Sequence, residues 1–146
     1  MGTSVEQALS QAKLISDEAT YNIIKLPAHA ITAAAGVIAE ARDSFSALIV
    51  DQYEVSILIN SELIQEFARR LPEHVIAETP YKLITFDVIL DFDLVGFMAK
   101  ISRTLADANI SILTFAAYSR DHIMVPESQF ALAMTTLENL QNEAKS

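Results

Sequence analysis

The stretch Tyr81-Lys82-Leu83-Ile84-Thr85-Phe86-Asp87-Val88-Ile89-Leu90-Asp91-Phe92-Asp93-Leu94-Val95-Gly96 decides the fold. Ile84, Phe86, Val88 and Leu90 alternate with Leu83, Thr85, Asp87 and Ile89. A period of two predicts a strand over Tyr81–Leu90 with one buried face and one mixed face. The next turn runs through Asp91–Gly96 into a helix over Leu94–Ala108. There Leu94, Phe97, Met98, Ile101, Leu105 and Ala108 recur at helical spacing. Lys100, Arg103 and Asp107 fall on the outer side, with Arg103 and Asp107 as an i,i+4 pair. A strand–turn–helix of this kind aims backbone N–H groups of the first helical turn at whatever sits above it. Such an end attracts carboxylates without any catalytic residue.

Toward the C-terminus, Ile110–Ala117 reads as a strand, Ser119-Arg120-Asp121 as a turn and His122–Val125 as a second strand. Pro126 and Glu127 open a helix with Phe130, Met134, Leu137 and Leu140 inward; proline fits a first turn and glutamate favours it electrostatically. The order is most of a β-α-β-β-α-β ferredoxin-like unit.

Toward the N-terminus the same order recurs. Tyr21–Leu26 is a strand ended by Pro27, and alanine-rich Ala30–Arg42 is a helix that Gly36 weakens by about 1 kcal/mol. Phe45–Val50 and Glu54–Ile59 are strands around an Asp51-Gln52 turn. Asn60 or Ser61 caps a helix carrying Leu63, Ile64, Phe67, Ala68 and Leu71 on one face, and Pro72 stops it. Val75–Ala77 is a short strand. Ahead of all this, residues 4–16 read as a helix with Val5, Ala8, Leu9, Ala12 and Ile15 on one stripe, and Ser4 with Gln7 as a capping box. The expected organisation is an N-terminal helix over 1–19, a first unit over 20–79 and a second over 80–146. The expected class is α+β, with tandem ferredoxin-like (βαββα) units whose antiparallel sheet carries helices on one face.

The chain has 146 residues, 51% hydrophobic and 20% charged, a composition that builds a packed core and not a disordered segment. Its net charge of −9, with ten Lys and Arg, argues against a nucleic-acid partner, because such affinity rests on basic side chains neutralising phosphates. With no cysteine, disulfides, thiolate metal sites and cysteine nucleophiles are excluded. No basic-then-apolar leader and no run of membrane-spanning length is visible, so a soluble cytoplasmic protein without a membrane partner is expected. His29, His74 and His122 lie far apart and form no metal-binding spacing. Three glycines cannot build a phosphate cradle, and no nucleophile elbow or dinucleotide fingerprint occurs. The carboxylates of Asp91 and Asp93 share a turn with no partner base. Neither catalysis nor a cofactor is expected.

Leu90-Asp91-Phe92, Gly96, the run Leu105-Ala106-Asp107-Ala108-Asn109-Ile110-Ser111-Ile112, then Tyr118, Asp121 and Ile123-Met124-Val125-Pro126-Glu127 together resemble an ACT domain. Glu54-Val55-Ser56-Ile57 is similar to a stretch of the small tandem-ACT proteins, the CASTOR-like and aspartate-kinase-like amino-acid-binding families. The resemblance implies a homodimer or pseudo-dimer of ferredoxin-like units. It also implies an amino-acid site where the first loop of one unit faces the second strand of a neighbour. The candidate ligand-binding residues are therefore Asp91, Phe92, Asp93, Leu94, Val95 and Gly96, with Asn109 and Ile110, and Glu54 and Ser56 from the first half. Asp93 stands where the family prefers Ser or Thr, Ala116-Ala117 replaces a more polar pair, and His122 replaces an aromatic.

Each candidate carries a plainer reading beside the functional one. Gly96 either lets a ligand approach the helix N-terminus or lets helix pack closely on sheet. Asp93 is expected to cap the helix through the N–H of Val95 or Gly96, occupying donors that a ligand carboxylate would want. Asp93 or Asp91 would then meet a ligand ammonium. Asn109 either bridges a ligand or ends the helix in the left-handed conformation. Glu54 and Ser56, on one strand face with Leu58, line a first-half site or form the solvent side of an edge strand. The function expected is non-catalytic sensing of a free amino acid or similar small carboxylate at the interface between units. The alternative is a ligand-free interaction or dimerisation module.

Overall fold

The computed structural model describes residues 2–146. It divides into two compact units, one of Asp17–Tyr81 and one of Lys82–Ser146 joined by the leading stretch up to Ser16.

The leading stretch begins with α1 (Val5–Gln11), opened by a complete capping box between Ser4 and Gln7. The helix does not continue to residue 16 as the stripe suggested. Ala12 is already extended, and Lys13–Ile15 form strand β1. This strand pairs antiparallel with β6 (Tyr81–Asp87), setting Lys13 opposite Asp87, Leu14 opposite Phe86 and Ile15 opposite Thr85. The physical reason is a change of period. Ala12 is buried and Leu14 packs on the core, while Lys13 and Ile15 face out.

The rest of this unit is α4 (Phe97–Asp107), β7 (Leu113–Ala116), β8 (Asp121–Pro126) and, after a single 3-10 turn, α5 (Phe130–Lys145). The strand order is β1-β6-β8-β7. The fourth-strand place of a ferredoxin-like sheet is thus filled by β1, which precedes the other unit in the chain. Ile84 and Phe86 of β6 and Ile123 and Val125 of β8 form the sheet's share of the core. Leu9 of α1, Phe97, Ile101 and Leu105 of α4, and Leu137 and Leu140 of α5 cover it. Gln141 donates its side-chain amide to the carbonyls of Leu9 and Ala12, closing the end of α1.

The Asp17–Tyr81 unit contains β2 (Thr20–Pro27), α2 (Ile31–Ala41), β3 (Ala47–Val50) and β4 (Glu54–Asn60). A short α3 (Ile64–Phe67) lies between two 3-10 turns, and β5 (Val75–Ile76) follows. The order β5-β2-β4-β3 matches the plan β1-β6-β8-β7 of the unit that contains Lys82–Ser146. Ile24 and Leu26, then Val55, Ile57 and Ile59, face Ala34, Val37, Phe67 and Leu71. Asn60 is the residue that caps the 3-10 turn, accepting the Glu62 N–H at 3.0 Å. Asp51 shapes the β3–β4 turn by accepting the N–H groups of Tyr53 and Glu54. In each unit the antiparallel sheet carries its helices on one face, as expected for ACT-type ferredoxin-like units.

Candidate functional site

Two boundaries and the N-cap of the β6–α4 connection differ from the sequence reading. Strand β6 ends at Asp87 and not at Leu90. The Val88 N–H turns back onto the Phe86 carbonyl at 2.9 Å, and the Leu90 N–H reaches across to the Ser119 carbonyl at 2.8 Å. Helix α4 begins at Phe97 and not at Leu94. Its N-cap is Gly96, at φ 100°, with no side-chain cap. Asp93 is therefore not the cap. It lies one turn too early, in the exposed part of the loop. The close-packing reading of Gly96 also fails, because an added β-carbon would meet only Val5 Cγ2 at 3.8 Å. Glycine is needed here for its left-handed backbone.

The consequence is a first turn of α4 with its N–H groups uncapped by any side chain. The first N–H groups of a helix have no intrahelical partner, and together with the helix dipole they favour an anion. Phe97, Met98 and Ala99 line a cleft of about 560 Å³. Leu90, Asp91, Phe92, Leu94 and Gly96 form the loop side of this cleft. The β7–β8 hairpin supplies the opposite side through Ala116, Ala117, Tyr118, Arg120 and Asp121. That hairpin turns through Tyr118-Ser119, closed by the Ala117 N–H on the Arg120 carbonyl. The turn comes earlier than the expected Ser119-Arg120-Asp121.

The charges in the cleft are arranged unevenly. Arg120 donates from Nε to Asp87 at 2.8 Å, which holds its guanidinium on the sheet. Asp121 has no salt bridge among the described residues. Burial raises its carboxyl above the ordinary value, against an opposing pull from His122. His122 is half-buried with Nδ1 2.8 Å from the Thr85 hydroxyl. Burial lowers its imidazolium below the ordinary histidine value, with Asp121 opposing and Arg120 adding to the shift. Asp91 is exposed at the cleft's edge. The site thus offers uncapped N–H donors and two carboxylates, a match to the two ends of a zwitterion. No cluster of three His, Asp or Glu suited to a metal ion occurs among the described residues.

Of the residues singled out from sequence, Asp91, Phe92, Leu94 and Gly96 come together here, whereas Asp93 and Val95 are exposed in the same loop and do not line the cleft. Asn109 and Ile110 lie elsewhere. Asn109 sits at φ 60° just past α4, where its N–H bonds the Ala106 carbonyl and the Ile110 N–H bonds that of Leu105. This is a Schellman motif, with Ile110 buried in the core beside Leu105. It also moves the start of β7 from the expected Ile110 to Leu113. Glu54 lines a smaller hollow of about 350 Å³ in the other unit with Lys25, Tyr53 and Glu73, while Ser56 pairs with Lys25 and Ile49 inside the sheet. The hairpin residues Ala116, Ala117, Arg120 and Asp121 were not among the candidates. Topology held the signal: β8 runs antiparallel beside β6, so the start of one strand must adjoin the end of the other.

Residues 76–139 match the family model of the ACT domain. The chain carries an ACT domain. No curated protein matches it by sequence. Among solved structures it is similar to a Vibrio cholerae protein of unknown function described as a possible transport protein, with TM-score 0.72 and 20% identity over 94% of this chain and 96% of that one. It is similar to the aspartokinase alpha and beta subunits, with TM-score 0.71 and 17% identity over 88% and 97%. The ligand-free regulatory subunit of aspartate kinase from Thermus thermophilus gives TM-score 0.63 and 12% identity over 87% and 96%. At these identities the likeness is one of fold. The cleft between the β6–α4 loop and the β7–β8 hairpin belongs to the ACT domain.

Proposed function

We propose that the protein is a non-catalytic regulatory sensor that binds a free amino acid, or a similar small carboxylate, in the cleft of its ACT domain. The observation that carries this reading is the uncapped first turn of α4 facing a cleft that also holds Asp91 and Asp121. The ligand carboxylate would take the N–H groups of Phe97, Met98 and Ala99, and its ammonium would sit by Asp121 or Asp91. A charge on Asp121 that burial disfavours gains a counterion in that arrangement. Likeness of fold to a regulatory subunit of aspartate kinase supports a regulatory role. A homodimer in the cytoplasm belongs to the same reading, with a second copy closing the open side of the cleft. Ligand affinity must differ between two states of the protein for binding to be reported onward.

The alternative, a ligand-free interaction module, draws on the exposed Phe92, Val95 and Tyr118 around the cleft. A thermal-shift panel of the twenty amino acids, with acetate and a dicarboxylate as controls, separates the two. A ligand at 100 times its Kd adds about 2.7 kcal/mol, a rise of several degrees for a domain of this size. One or a few responding amino acids are expected. A flat panel contradicts the sensor reading and favours the module.

A further inference from the structure

We infer that the cleft selects amino acids with large apolar, above all aromatic, side chains, and that Phe92 and Tyr118 are the selecting residues. The inference rests on the amino-acid reading above and names its ligand class. The two rings meet edge to face with centroids 4.9 Å apart, one from the β6–α4 loop and one from the tip of the β7–β8 hairpin. Both lie at the cleft, yet they are 78% and 80% exposed. Rings this exposed contribute little to the core, and large apolar surface left in water marks a binding site. The Leu90–Ser119 backbone bond ties the same two segments together, so the rings are held in place and need little ordering when a ligand arrives.

The interior of the cleft agrees with an apolar occupant. Leu94 and Met98 give it aliphatic walls, and Ala116 and Ala117 leave room where larger side chains would fill it. A cleft of about 560 Å³ exceeds what glycine, alanine or serine would occupy. An acidic side chain would meet the carboxylates of Asp91 and Asp121, and the cation lining the cleft, Arg120, already shares its charge with Asp87. An aromatic ligand ring would add a third member to the Phe92–Tyr118 pair, in the offset or edge-to-face contacts that rings favour.

The test is isothermal titration of the full chain with each of L-phenylalanine, L-tyrosine, L-leucine, L-methionine, L-alanine, L-aspartate and L-lysine, repeated on Phe92→Ala and Tyr118→Ala. Because both rings are exposed, circular dichroism should show both variants folded. Phenylalanine and tyrosine are expected to bind most tightly, and each variant is expected to weaken them by about tenfold, the scale of one lost aromatic contact. Tightest binding of alanine, aspartate or lysine overturns this inference while leaving the amino-acid reading intact. Unchanged affinity for phenylalanine in both variants overturns it too. Silence of all seven ligands overturns this inference, and the thermal-shift panel of all twenty then decides the amino-acid reading by itself.

Discussion

Gly96 and Gly36 respond oppositely to the same substitution, and the difference lies in the backbone. Gly96 sits at φ 100°, and a β-carbon there meets nothing closer than Val5 Cγ2 at 3.8 Å. Gly96→Ala should therefore cost roughly 1–2 kcal/mol through left-handed strain alone. Gly36 lies inside α2, where an added β-carbon meets only the Arg70 guanidinium at 3.6 Å. Gly36→Ala should stabilise by about 1 kcal/mol. Urea midpoints at constant slope measure both, and a neutral Gly96→Ala would show that the backbone at this N-cap is not strained. Sequence marks both glycines, and for Gly96 it offers ligand approach or close packing but not the left-handed N-cap, because helical periodicity starts at Leu94. Periodicity records which side chains face inward and not where the backbone enters the helix. Leu94 does pack on the core, from a loop and not from a helix. For the same reason Asp93 looked like a cap.

Connections between elements carry their own pH dependence. Asp17 receives hydrogen bonds from the Tyr21 hydroxyl on β2, the Ser44 hydroxyl in the α2–β3 loop and the Ala19 N–H. Burial raises its carboxyl, but these bonds together outweigh burial and hold it below the ordinary value. A depressed folded-state pKa gives stability that is present above the unfolded value, near 3.9, and is lost as pH falls through the folded one. Asp17→Asn should therefore unfold at lower denaturant than the wild type at pH 7, with the difference shrinking below about pH 4. A difference independent of pH from 7 to 2.5 would rule out this role of the carboxylate. The elements themselves were largely legible: the strand at Tyr81, the β3–β4 turn at Asp51 and the Asn60 cap all follow from local chemistry. The split of residues 4–16 was not. A narrow stripe containing Ile15 fits a helix until β6 offers a strand something to pair with, and that partner lies far along the chain.

At the scale of the molecule, the unit that holds the cleft is assembled from both ends of the sequence. β1 completes its sheet, and α1 with its C-cap Ala12 contributes Ala8, Leu9 and Ala12 to its core. Deleting residues 1–16 should cost that unit about 1.5–3 kcal/mol from the lost burial of Leu9 alone, seen as early loss of its amide protection in hydrogen exchange. Unchanged protection of β6 in the truncated chain would contradict the nested plan. The ferredoxin-like order was readable because each half repeats it, but reading the halves separately hid the borrowed strand and the hairpin side of the cleft. A ligand carboxylate held by the first turn of α4 is read by amide NMR of the labelled chain titrated with the amino acid that responds in the thermal panel. The largest shifts are expected at the N–H groups of Phe97, Met98 and Ala99, with smaller ones at Ala116–Asp121. A bound ligand that leaves those three amides unmoved, or that shifts the hollow around Lys25, Tyr53 and Glu54 instead, would contradict that placement of the carboxylate.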